Sequence, residues 1–82
     1  MGYVIIHNFE EGKPHKLKWY KTLKGLKIAL RAWNRNAGWE HKSWCYDGTS
    51  YLSWSAEKAP GDNWEYAPYI GMSETNYEKA YG

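Results

Sequence analysis

Few residues in this chain of 82 can react: His7, His15, His41, the single Cys45 and nine scattered carboxylates. Nucleophilic catalysis needs a base within hydrogen-bond reach of the nucleophile and a third group that orients the base. His41 and Cys45 lie four apart, where a helix exits into a strand, so they share no helical face, and Cys45 is expected to pack as a small hydrophobe. His7 and His15 fall on neighbouring strands and can face each other. Two imidazoles with no thiolate or carboxylate at ligand spacing fall short of a zinc site. No Walker loop or glycine-rich phosphate cradle occurs. The expectation is a protein with no enzymatic activity, no metal and no cofactor.

Binding is the chemistry with more residues behind it. Between Gly12 and Trp39 stand Lys13, Lys16, Lys18, Lys21, Lys24, Lys27, Arg31 and Arg35, with no Asp or Glu among them. Residues 40–82 carry seven acids against Lys42, Lys58 and Lys79. A net charge of +2 therefore conceals a basic first half and an acidic second half. On a helix, Lys24, Lys27, Arg31 and Arg35 fall opposite the apolar stripe. Lys27, Arg31 and Arg35 stack one above another, and Lys21 extends the row into the preceding turn. Such a row can meet successive phosphates, with Asn34 and Asn36 adding polar contacts. It can also meet a protein, or simply be solvated.

The aromatic share is 18%, from six Trp, eight Tyr and one Phe, more than so thin a core can hide. Trp, Tyr and Arg are enriched in interface hot spots. The outer sheet face, with Trp44, Tyr46 and Tyr51 or else Leu52 and Trp54, is the second candidate surface.

The elements that must position these groups follow from periodicity. Tyr3 to Phe9 alternates as a strand, Glu10 to Pro14 is a turn, and His15 to Tyr20 alternates again, with Leu17 and Trp19 on one face. Thr22 is placed as an N-cap. Leu23, Leu26, Leu30, Trp33 and Ala37 form an amphipathic stripe, and Gly38 ends the helix. Ser43–Tyr46 and Thr49–Trp54 flank Asp47-Gly48, a type I′ hairpin dipeptide, which would pair Tyr46 with Thr49 and Trp44 with Tyr51. After a loop around Pro60-Gly61, residues 64–70 form an edge strand at best, because Pro68 cannot donate to a ladder. Residues 1–72 are expected to make a single domain, and residues 73–82 a polar tail or one loose helical turn. The expected fold class is α+β: two layers, an antiparallel sheet of about four to five strands with one helix packed on it, in the order β-β-α-β-β.

No apolar run approaches the roughly 18 residues of a membrane span. The N-terminus lacks the features of a secretory signal, and Ile6 stands where a myristoylation signal needs Ser or Thr. One cysteine forms no intrachain disulfide. A reducing, cytoplasmic setting is the expectation.

Two resemblances add to this reading. Tyr46-Asp47-Gly48-Thr49-Ser50-Tyr51, with Trp54, Pro60-Gly61 and Trp64, resembles part of small chitin-binding modules and their relatives in phage tail fibres. That resemblance implies sugar rings stacked on exposed Trp and Tyr. Tyr20-Lys21-Thr22-Leu23-Lys24-Gly25, followed by Ala29-Leu30-Arg31 and Asn34-Arg35, is similar to a pattern in small uncharacterised accessory proteins of tailed phages. It implies an anti-defence or host-takeover protein that acts stoichiometrically in the infected cell, and it brings no assigned site residue. The expected function is a non-enzymatic module that docks on a host protein or ribonucleoprotein. Its basic face is Lys21, Lys24, Lys27, Arg31 and Arg35, and its aromatic face Trp44, Tyr46, Tyr51 and Trp54. The alternatives are nucleic-acid binding by the basic face and carbohydrate binding by the second hairpin.

Overall fold

Alternation of β-branched and aromatic side chains opens the chain as a strand, β1 (Tyr3–His7), which pairs with the short β2 (Lys18–Tyr20). A computed structural model describes residues 1–8, 11–55 and 67–82. Helix α1 (Leu23–Asn36) follows, then β3 (Ser43–Tyr46), β4 (Tyr51–Trp54), β5 (Tyr69–Ser73) and α2 (Glu74–Tyr81). The five strands form one antiparallel sheet in the order β2-β1-β5-β4-β3. The protein is a small α+β structure with one main helix. No helix among the described residues is long and apolar enough to cross a membrane.

Strand alternation divides the core into two. Ile5 faces Leu26 and Leu30 of α1, and all three are fully buried. Its neighbours Val4 and Ile6 point the other way, where they pack with Ile70, Met72 and Tyr77. Both sheet faces are therefore covered, one by α1 and the other by α2, where a two-layer sandwich with a single helix is expected from periodicity. Residues 73–82, expected as a polar tail or one loose helical turn, hold a strand end and a capped helix of eight residues. The Ser73 hydroxyl accepts from the Asn76 amide at 3.1 Å. Tyr77 is 3% exposed, and its hydroxyl donates to the Pro14 carbonyl at 2.5 Å, which ties α2 to the connection between β1 and β2.

The last strand also departs from expectation. Pro68 precedes β5 rather than interrupting it, and β5 lies at the centre of the sheet, between β1 and β4. A proline is tolerated there because it stands outside the ladder and contributes only its carbonyl, which accepts from the Asn8 amide at 3.0 Å. The expected strand residues 64–66 lie outside the described residues. Gly71 in β5 lies under α1: a Cβ there would stand 2.8 Å from a methyl of Leu26. The absent side chain lets the helix sit close to the sheet.

Leu17 and Trp19, expected on one face, separate. Leu17 packs into the cluster under α1, whereas Trp19 pairs with Val4 and reaches to α2. There the Trp19 indole donates to a Glu74 carboxylate oxygen at 2.7 Å, and the Gly2 amide donates to the same oxygen at 2.9 Å. These two bonds, the indole first, hold the Glu74 carboxyl below its ordinary value. A carboxyl depressed by folding stabilises above the ordinary carboxylate range, and that contribution is lost as pH falls through the folded value. Glu74→Gln should therefore lower the melting temperature most at neutral pH, and the gap from the parent protein should close in acid. A gap independent of pH would contradict that role.

Candidate functional site

Helix α1 is set by its ends. The Thr22 hydroxyl accepts from the Gly25 amide at 3.1 Å, and Gly38, with φ of 90°, takes the left-handed conformation that closes a helix. Between these ends, α1 lies over β1, β2 and β5 and also touches β4. Lys27 is half-buried on the flank of the helix, not opposite the apolar stripe. Its ammonium stands 5.7 Å from the centre of the Trp44 ring and 5.5 Å from that of Tyr51, within cation–π range.

Trp44, Tyr46 and Tyr51, expected on an outer face, are thus on the same side of the sheet as the basic helix. The β3–β4 register is Tyr46↔Tyr51 and Trp44↔Ser53, not the pairing a two-residue turn would give. Asp47 explains the longer loop: its carboxylate accepts from the Thr49 and Ser50 amides at 2.9 and 2.7 Å, an Asx turn. The register differs by two residues, so the side chains expected to share a face still share one, although for Trp44, Tyr46 and Tyr51 that face is the one under α1. Trp54 and Leu52 fall on the far side, Leu52 against the α2 cluster. The aromatic platform that a sugar-binding hairpin implies is accordingly split, with Tyr46 and Tyr51 on one face and Trp54 on the other. Trp64 and Pro60-Gly61 lie outside the described residues.

The aromatic strip has a definite geometry. The Tyr46 and Tyr51 rings are 4.5 Å apart and inclined by 31°. Tyr46 is 50% exposed, and its hydroxyl donates to the Gly48 carbonyl at 3.0 Å. Burial, then the neighbouring Tyr46 and Tyr3, pushes the Tyr51 hydroxyl above its ordinary value, which keeps it neutral. His41 lies against Trp44 at 4.5 Å, and its Nδ1 is 2.6 Å from the Ser53 hydroxyl. Burial and the positive charge of Arg31 hold the His41 ring below its ordinary value. A positive edge (Lys27, then Arg31) therefore runs beside a floor of rings. His41 and Trp39 belong to this surface; the sequence weighs His41 only as a base for Cys45 and does not mark Trp39, because both sit in an irregular segment with no periodicity.

Not every expected site residue joins it. Lys21 and Lys24 are exposed at the start of α1, away from these rings. Arg35 is exposed in the last helical turn, where with Arg31 it lines a separate depression. Asn34, expected as a polar contact for a ligand, is fully buried. Its side-chain amide donates to the Tyr69 carbonyl at 3.1 Å and accepts from the Tyr69 amide at 2.9 Å. The reason lies in the sheet: β4 pairs with β5 at Tyr51↔Gly71 and Leu52↔Ile70 and goes no further. Asn34 takes the place of the next β4 residue. The Trp39 indole donates to the carbonyl of that residue, Ser53, at 3.1 Å. These two side chains pin the end of α1, and with it Arg31 and His41, to the sheet.

His7 lies against Tyr69 at 5.0 Å, and among the described residues no three His, Cys, Asp or Glu side chains converge as metal ligands. Cys45 is half-buried opposite Leu52. Comparison of the chain with protein-family models, with curated proteins and with solved structures finds no match.

Proposed function

We propose that the chain binds single-stranded nucleic acid along the edge of α1, with phosphates against Lys27 and Arg31 and bases on the floor formed by Trp44, Tyr46 and Tyr51. The observation that carries this reading is the placement of the Lys27 ammonium over the Trp44 and Tyr51 rings, which joins a cationic edge to an aromatic floor. Stacking on aromatic rings combined with backbone neutralisation is how single strands are held without sequence readout. A duplex, with its base faces covered, fits such a floor less well. Fluorescence anisotropy of a labelled oligothymidylate, repeated across salt concentrations, tests it. Affinity should fall steeply as salt rises. Lys27→Glu with Arg31→Glu should weaken binding at least about tenfold and lower the salt slope by roughly two, and Arg31→Glu alone, at an exposed position, should lower that slope by roughly one with little change in melting temperature. Absence of binding at low salt would contradict the proposal.

A second reading has its own observation. Ile28 is 64% exposed on the solvent side of α1, among Lys24, Arg31 and Arg35, where an apolar side chain does nothing for phosphate. It supports docking of the same helix on a protein or ribonucleoprotein, the mode that the phage-protein resemblance implies. Under that reading, Ile28→Asp abolishes capture of a protein that survives nuclease and high salt. Under the strand-binding reading, no such protein is retained.

A further inference from the structure

Beyond Lys27 and Arg31, the positive edge ends in a depression of about 320 Å³ lined by Arg31, Arg35, Gly38, Trp39, Glu40 and His41. Its two guanidinium groups make no ion pair among the described residues. Arg31 and Arg35 stand one helical turn apart, both exposed. The acid at the rim, Glu40, is engaged by Lys42 at 2.8 Å, and that contact holds its carboxyl below the ordinary range. The Trp39 indole N–H is occupied by the Ser53 carbonyl, so the ring serves as a wall. The His41 ring is fixed by Ser53 on one side and Trp44 on the other. A side chain at Gly38 would meet nothing within 4 Å, so the depression is open to solvent there.

We propose that this depression is a subsite for a phosphomonoester, the charged end of a strand whose next bases lie on the Trp44–Tyr51 floor. A phosphodiester along a strand offers two terminal oxygens and one charge. A monoester offers three oxygens and a charge of about −1.5 to −2 at neutral pH, which suits two guanidinium forks and an imidazole. The assignment rests on the strand-binding proposal for its occupant. The pair of exposed guanidinium groups, with no ion pair among the described residues, carries it independently, so the two fail in different experiments.

The test uses three oligothymidylates of equal length: unphosphorylated, 5′-phosphorylated and 3′-phosphorylated. One phosphorylated form should bind about tenfold tighter than the unphosphorylated strand, the size of one charge-assisted contact, and which one it is identifies the end. In Arg35→Gln the ratio of the two affinities should fall to about one. Inorganic phosphate alone should shift the His41 ring protons in the parent protein and not in Arg35→Gln. Equal affinity for all three oligonucleotides, with no response of His41 to phosphate, overturns the subsite and leaves strand binding in place. Failure of every oligonucleotide to bind, while phosphate still shifts His41, overturns strand binding and keeps the anion site.

Discussion

Replacing Tyr77 by Ala is expected to lower the free energy of unfolding by about 3–5 kcal/mol, the range for deleting a buried aromatic. Against a total of roughly 5–15 kcal/mol for a small domain, that leaves the protein near its unfolding threshold. The ring is 3% exposed and packs with Val4, Ile6, Ile70 and Met72. It also lies 5.4 Å from the Tyr81 ring, one turn further along α2. Truncation opens a cavity on a sheet face that has no other helix over it among the described residues. Tyr77→Phe separates the two contributions: the ring stays, the Pro14 carbonyl loses its donor, and the loss should be about 1–3 kcal/mol. Urea denaturation of both variants measures the difference. If Tyr77→Ala changes stability by under about 0.5 kcal/mol, the range of surface substitutions, then α2 is an appendage and the second core cluster does not hold the fold.

Asn34 should carry the second large effect. Asn34→Leu keeps the side-chain volume and the helix, yet removes the partners of both the amide and the carbonyl of Tyr69. Each buried backbone group left unsatisfied costs about 1–3 kcal/mol, so the expected loss is about 2–5 kcal/mol. Asn34→Asp retains the acceptor for the Tyr69 amide but replaces the donor with a buried charge, and should be at least as damaging. Hydrogen exchange gives a local readout: the Tyr69 amide should become the most accelerated in β5, while amides paired between β1 and β5 change less. Uniform acceleration across the sheet would show that Asn34 contributes only general packing.

Much of α1 is legible in sequence because its signals are local. Thr22 and Gly38 act on backbone groups within a few residues, and Leu26 and Leu30 mark the buried stripe by spacing alone. The second hairpin is legible in part. Its turn length depends on whether Asp47 caps its own loop, which spacing does not reveal. Its grouping of side chains by face survives because a shift of two preserves alternation, but which face lies under α1 depends on how the helix crosses the sheet. Asn34 is the opposite case. A polar residue on the flank of an amphipathic helix looks solvated until the end of β4–β5 pairing, 35 residues away, gives it a buried partner.

Helix α2 spans eight residues, too few for a strong periodic signal, and only the Tyr77–Tyr81 spacing hints at it. The central position of β5 is a matter of topology that Pro68 obscures. At the site, the cationic row is visible in sequence. The lean of Lys27 over Trp44 and Tyr51, and the recruitment of His41 and Trp39, depend on how far α1 sits across the sheet.

One surface, the Lys27–Arg31 edge with its aromatic floor, is proposed to receive a single strand. The most direct measurement follows the backbone amides and the six Trp indoles by two-dimensional nitrogen–proton NMR while unlabelled oligothymidylate is added. A strand bound there should give saturable shifts of the Trp44 indole and of the Lys27, Arg31, Tyr46 and Tyr51 amides, with the Trp19 indole beside Glu74 unmoved. Shifts centred on Trp19 and α2, or none at all, would contradict it.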